Sequence, residues 1–149
     1  MMNNNTQLGN TVEKAICDIF RKRRYWAYNC PKNANGAQPV DVLAFRREDK
    51  DGEDKRVIFW FVDGKHVDSK KASFVLNRTE DNQLMSMTYI VDFAGANSKY
   101  VGFVIYFERT EQFYWLPYNE VLEMLQNDKK SVNLTELKEF ERVLDAYSN

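Results

Sequence analysis

Hydrophobic and polar positions alternate with two different periods along the chain. Val12, Ala15, Ile16, Ile19 and Phe20 recur every three or four residues, which predicts a helix over residues 11–22. Asn10 is placed to cap it, with Glu13 three positions on as the reciprocal acid of a capping box. Residues 25–29 read as a short strand, and 30–38, with Pro31, Asn33, Asn35 and Gly36, as a loop. Val40-Asp41-Val42-Leu43-Ala44-Phe45 is too apolar for anything but a buried strand. A charged turn over 46–56, centred on Asp51-Gly52, returns the chain into a second apolar strand over 57–62, making a hairpin. A polar stretch follows, then a helix from Asn77 or Thr79 to about Phe93. Strands over 100–107 and 112–116 and helices over 117–126 and 135–147 complete the chain.

The order is α-β-β-β-α-β-β-α-α. It predicts an α/β (α+β) fold, a mixed sheet of about five strands with helices on both faces. A length of 149 residues suits one core. A single domain is expected over residues 9–149, behind a flexible polar tail over 1–8.

Composition narrows the class. With 44% hydrophobic and 29% charged residues the chain reads as a folded soluble protein. No apolar run approaches the roughly 20 residues of a membrane-spanning helix, and the Asn-rich start lacks the basic and apolar regions of a signal peptide. A cytoplasmic protein, from a bacterial or phage-infected cell, is expected. Cys17 and Cys30 have no CxxC spacing and a single histidine, His66, for company, so they read as reduced, partly buried thiols rather than a zinc site. A net charge of −1 argues against coating nucleic acid by bulk charge. Local contact stays open through two basic runs, Arg21-Lys22-Arg23-Arg24 and Lys70-Lys71. The first run ends a helix, where cations also favour the dipole, so a phosphate clamp and a helix-terminal role both stand.

The chemistry-bearing residues interrupt the apolar strands. Asp41 sits inside the first, where a buried carboxylate needs a partner or a cation. Phe59, Phe61, Asp63 and Lys65 share one face of the second, because strand side chains alternate. On neighbouring strands Asp41 and Asp63 can meet, and a divalent cation with oxygen ligands would relieve their repulsion. That arrangement suits metal-assisted phosphodiester hydrolysis, with Lys65 orienting water or neutralising charge on the phosphorane. Structural readings stand beside it: Asp63-Gly64 as a turn, Lys65 as a solvated charge, Asp41 paired with Arg46, Glu13 as the capping acid. His66 points to the opposite face and reads as structural, with DNA contact as its alternative.

Pro39-Val40-Asp41 and Asp63-Gly64-Lys65 match the signature of PD-(D/E)XK nucleases. The longer context resembles the RecU-like Holliday junction resolvases (penicillin-binding-protein-related factor A) over roughly residues 9–118. It includes Gly9-Asn10-Thr11-Val12-Glu13, Gln38-Pro39-Val40-Asp41, the block Ala72-Ser73-Phe74-Val75-Leu76 leading to Gln83, and Gly102-Phe103-Val104-Ile105-Tyr106-Phe107. The family usually has glutamate at position 63 and histidine at position 82, where this chain has Asp63 and Asn82. The resemblance implies a restriction-endonuclease-like core and an Mg²⁺- or Mn²⁺-dependent endodeoxyribonuclease acting on branched DNA as a homodimer. Glu13, Asp41, Asp63 and the Gly64 carbonyl would hold the metal, Lys65 would be the catalytic lysine, and Gln83 would support the site. Arg21, Lys22, Arg23, Arg24, Lys70 and Lys71 are the expected DNA contacts. No small-molecule cofactor and no membrane partner are expected. The rival reading is a nuclease-fold module that no longer cuts and binds DNA or a protein.

Overall fold

The computed structural model of the chain describes residues 4–31, 39–48 and 56–147. Helix α1 (Asn4–Arg21) buries Val12, Ile16, Ile19 and Phe20. It begins six residues before Asn10, since only the tolerable Gly9 interrupts residues 4–10. This corrects the expected cap: Glu13 lies in mid-helix, where no capping box can form. Arg24, at φ 66°, turns the chain back, and the Tyr25 amide closes the turn on the Phe20 carbonyl.

The main sheet has six strands in the order β1-β2-β3-β5-β6-β8. These are β1 (Trp26–Asn29), β2 (Val42–Arg47), β3 (Val57–Val67), β5 (Val101–Phe107), β6 (Gln112–Pro117) and β8 (Lys138–Glu139). All pairings are antiparallel except β3 with β5, which are parallel and joined through helix α2 (Asp81–Asp92). The sixth strand and a small ribbon of β4 (Ser73–Val75) with β7 (Ser131–Asn133) add to the five expected strands. Helix α3 (Tyr118–Gln126) agrees with expectation, whereas α4 covers only Phe140–Ala146. Leu134 and Leu137 have helical spacing, but they pack from a 3₁₀ turn and its end, and Lys138-Glu139 then extend the sheet edge. Similarly, Leu76–Arg78 is a 3₁₀ turn, and α2 starts later than Asn77 or Thr79. The expected loop tip over 32–38 and the Asp51-Gly52 turn centre lie outside the described residues.

Strand alternation divides the interior into two cores. Ala27, Val42, Ala44, Ile58, Trp60, Val62, Val104 and Trp115 meet α1 and α4 on one face. Phe103, Ile105, Phe107 and Leu116 meet α2 and α3 on the other. Trp60 is fully buried at the centre of the first, ringed by Phe20, Trp115 and Phe140, with its indole N–H donating to the Tyr25 hydroxyl at 3.2 Å. Arg23 ties the end of α1 to α4 through Asp145 (2.7 Å) and Glu141 (3.5 Å). Among the described residues no helix is long and apolar enough to cross a membrane.

The β5–β6 contact sets a stringent steric condition. A Cβ at Gly102 would stand 2.5 Å from the Leu116 carbonyl oxygen and 2.9 Å from the Pro117 Cα, both backbone atoms. Gly102→Ala is therefore expected to cost about 2 kcal/mol or more in denaturant unfolding. An unchanged midpoint would show that this strand pair is looser than described.

Candidate active site

Asp41 lies one residue ahead of β2, and the pairing of Val42 with Val62 sets it opposite Asp63. There the strand ladder is continued by side chains. The Asp41 amide donates to Asp63 Oδ1 and the Gly64 amide donates to Asp41 Oδ2, each at 2.9 Å. Both carboxyls are buried, Asp63 to 2% exposure. Asp63 Oδ2 is also buried, with no hydrogen-bond partner among the described residues. Burial first, and the Asp41 charge second, push the Asp63 carboxyl well above the usual carboxylate range, against the opposing pull of the Asp41 amide and the Lys65 ammonium.

The turn reading of Asp63-Gly64 gives way, because β3 runs unbroken to Val67. Asp63 and Lys65 pair with Phe103 and Ile105, so they share the α2 face. Lys65 is half-buried rather than solvated. Burial pushes its ammonium pKa down, while Asp63, Glu80 and Asp41 pull it back up. Arg46 is five strand positions from Asp41, about 16 Å along the strand, with its guanidinium over Tyr25 and bonded to the Arg23 carbonyl.

Gln83 caps α2, and its side chain bonds to Glu80 rather than to the acid pair or Lys65. Its side-chain oxygen accepts the Glu80 amide at 3.3 Å while the Glu80 carboxylate accepts the Gln83 amide, a capping box that fixes the start of the helix. Glu80 was not legible as a site residue. Its signal, an acid three positions before Gln83, reads equally as a cap, and only the fold shows its charge acting on Lys65.

Glu13 comes from the opposite side of β3. Gly64 faces α1, and a Cβ there would sit 3.7 Å from Glu13 Cγ and 3.2 Å from Ile16 Cδ1, so the glycine between acid and lysine admits the helix. Asn29, with its amide nitrogen turned toward both acceptors, joins Glu13 Oε2 (3.0 Å) to the Asp41 carbonyl (3.2 Å). Cys30 is buried, and its thiol is pushed up by burial and then by Asp41, Asp63 and Glu13, which keeps it a thiol at neutral pH. Among the described residues no group of three or more His, Cys, Asp or Glu side chains converges into a cation cage. A two-carboxylate arrangement with an unpartnered buried oxygen does suit Mg²⁺, which binds through one or two carboxylates and keeps several waters.

The basic residues lie elsewhere. Arg21, at the end of α1, follows Glu13 by eight positions, about 12 Å along the helix, and Lys22 to Arg24 form the turn beyond it. Arg21 donates to the Ala27 carbonyl at 3.0 Å and Arg23 is held by α4, while Lys22 and Arg24 are exposed. Lys70 and Lys71 are exposed in the turn after β3. His66 Nε2 lies 2.7 Å from Glu108 Oε1, and its ring stacks on Tyr106.

No protein-family model matches the sequence, and no curated protein matches it. Solved structures do resemble the fold. The Holliday junction resolvase Hjc of the archaeal hyperthermophile Archaeoglobus fulgidus superposes with a TM-score of 0.58 at 13% identity, over 91% of this chain and 97% of that one. A nuclease from a fusselovirus superposes with a TM-score of 0.54 at 8% identity, over 99% and 94%. The chain thus shares the fold of these two proteins, a restriction-endonuclease-like mixed sheet of six strands with helices on both faces.

The raised Asp63 pKa predicts a signature in the metal-free protein. A carboxyl with a folded pKa above its unfolded value favours the fold at low pH and loses that contribution as pH rises through the folded pKa. Asp63→Asn should therefore raise the thermal midpoint by at least about 3 °C near neutral pH, with the gain shrinking toward about pH 4. Thermal scans in chelator across that range would refute this if the difference were independent of pH.

Proposed function

We propose that this chain is an Mg²⁺- or Mn²⁺-dependent endodeoxyribonuclease that acts on branched or otherwise structured DNA as a homodimer. The observation that carries the reading is the buried Asp41–Asp63 pair, with Asp63 Oδ2 unpartnered among the described residues, on the same strand face as Lys65. The PD-(D/E)XK nuclease fold supports it, and the junction preference follows the likeness to a Holliday junction resolvase.

Asp41 and Asp63 would hold the metal, with the Gly64 carbonyl as a further oxygen donor, while Glu13 is held against Asn29 on the α1 side of the strand. A divalent ion bound there supplies Lewis-acid polarisation of the phosphoryl oxygen and a water of lowered pKa. Lys65 presents a partly desolvated cation where negative charge grows during attack, and stabilises it more strongly than a solvated ammonium would. Glu80 keeps that cation in charge balance, and Gln83 holds Glu80 in place through the helix cap. Lys70 and Lys71, with the exposed cations of residues 21–24, contribute phosphate contacts.

The test is cleavage of a labelled four-way junction beside a linear duplex of matched sequence, in Mg²⁺, in Mn²⁺ and in chelator. Paired, metal-dependent nicks on the junction are expected, with Asp63→Asn at least about a hundredfold slower while still folded. Equal cutting of the duplex would make the protein a general nuclease of this fold. Folded protein that cuts nothing under any condition would make it the binding module instead.

A further inference from the structure

Among the described residues, the α2 side of the sheet is covered over β5, β6 and the end of β3 but largely exposed over β1, β2 and the start of β3. In that exposed half, Trp26, Phe45 and Phe59 stand directly opposite one another across three strands, and Tyr28, Leu43 and Phe61 form the next row. Tyr28, Trp26, Phe45, Phe59 and Phe61 make a continuous ladder of aromatic rings, with centroids 5.0–5.8 Å apart and planes within 35°. Trp26 is 53%, Tyr28 43% and Phe59 44% exposed.

Helix α2 carries a second apolar surface. Met87 and Ile90 are buried beneath it, while Met85 (72%), Tyr89 (64%) and Phe93 (77%) recur every four residues along an exposed stripe. The two surfaces adjoin. Ala94, Gly95 and Ala96, immediately after the stripe, share a groove of about 470 Å³ with Phe59 and Phe61.

We infer that the ladder and the α2 stripe together form a two-fold interface with a second copy of this chain. An exposed half-sheet lacks a helix, and an exposed helix stripe lacks a sheet. A second copy supplies both reciprocally, which is the self-complementarity a two-fold interface demands. The area also fits. With aromatic side chains of roughly 150–250 Å², the exposed fractions leave about 700 Å² of apolar surface per copy, near the roughly 800 Å² that each partner buries in a standard-size interface. A typical monomer's largest apolar patch is about 300–600 Å². Phe61 precedes Asp63 by two positions on the same face, so the partner's helix would border the carboxylate pair and fix the spacing of two sites. The inference gives the dimer of the proposed reading its surface and rests on that reading for its purpose; its test reads assembly alone, so either can fail without the other.

The test is sedimentation equilibrium of the full chain from about 1 µM to about 300 µM, with two variants of the exposed faces: Tyr89→Ser/Phe93→Ser on α2 and Trp26→Thr/Tyr28→Thr on the ladder. The wild type is expected to dimerise, and each variant to weaken the dimer at least a hundredfold with unchanged circular dichroism. Mixing the two variants leaves one helix-on-ladder contact with both halves intact, so the mixed dimer should be tighter than either variant's own dimer. A wild type that stays monomeric throughout, variants that dimerise like the wild type, or a mixture no tighter than its parents would overturn the interface. A monomer whose exposed Trp26 fluorescence is quenched by single-stranded oligonucleotide would overturn it in favour of a surface for unpaired bases.

Discussion

The exchange of two hydrogen bonds between Asp41 and the Asp63-Gly64 segment is the interaction on which the site depends. Each acid accepts a backbone amide from the other's segment, so ladder and carboxylate pair are one construction. Two acids are brought together in a buried place, where these bonds give both backbone amides an acceptor. The arrangement leaves Asp63 Oδ2 without a donor among the described residues, the feature on which the proposed cation site rests.

The two cores hold this construction from either side. On one, Val42, Val62 and Val104 pack beneath α1, which approaches closely because Gly64 has no side chain. On the other, Phe103 and Ile105 support the face that carries Asp63 and Lys65, and α2 brings Glu80 within electrostatic reach of the lysine. Glu13 approaches from behind the strand, and Asn29 links it to the Asp41 carbonyl. A helix on each face of one strand thus sets the chemistry of three consecutive residues.

Much of this was legible in the sequence because the strands are strongly apolar, which makes Asp41 and Asp63 conspicuous interruptions. Period-two alternation placed Asp63 and Lys65 together, and the register bears that out. The start of α1 was missed because Asn-rich residues resemble a tail, so Glu13 was credited with a cap its true mid-helix position excludes. The last helix was started too early, at residue 135, because Leu137, Phe140 and Leu144 keep a helical period, while Leu137 ends a 3₁₀ turn and Lys138-Glu139 extend the sheet edge. Asn29 and Cys30 carry no local signal, and that of Glu80 reads only as a helix cap: each joins the site through residues distant in sequence, which only the register of three strands and two helices determines.

The most direct test of the account is calorimetric titration of Mn²⁺ into the protein without DNA, comparing the wild type with Asp63→Asn. The account predicts one carboxylate-dependent site per chain, with a dissociation constant on the order of a millimolar or tighter, lost in the variant. A wild type that binds no Mn²⁺, or a variant that binds it equally well, would contradict the claim that this buried acid pair is a cation site.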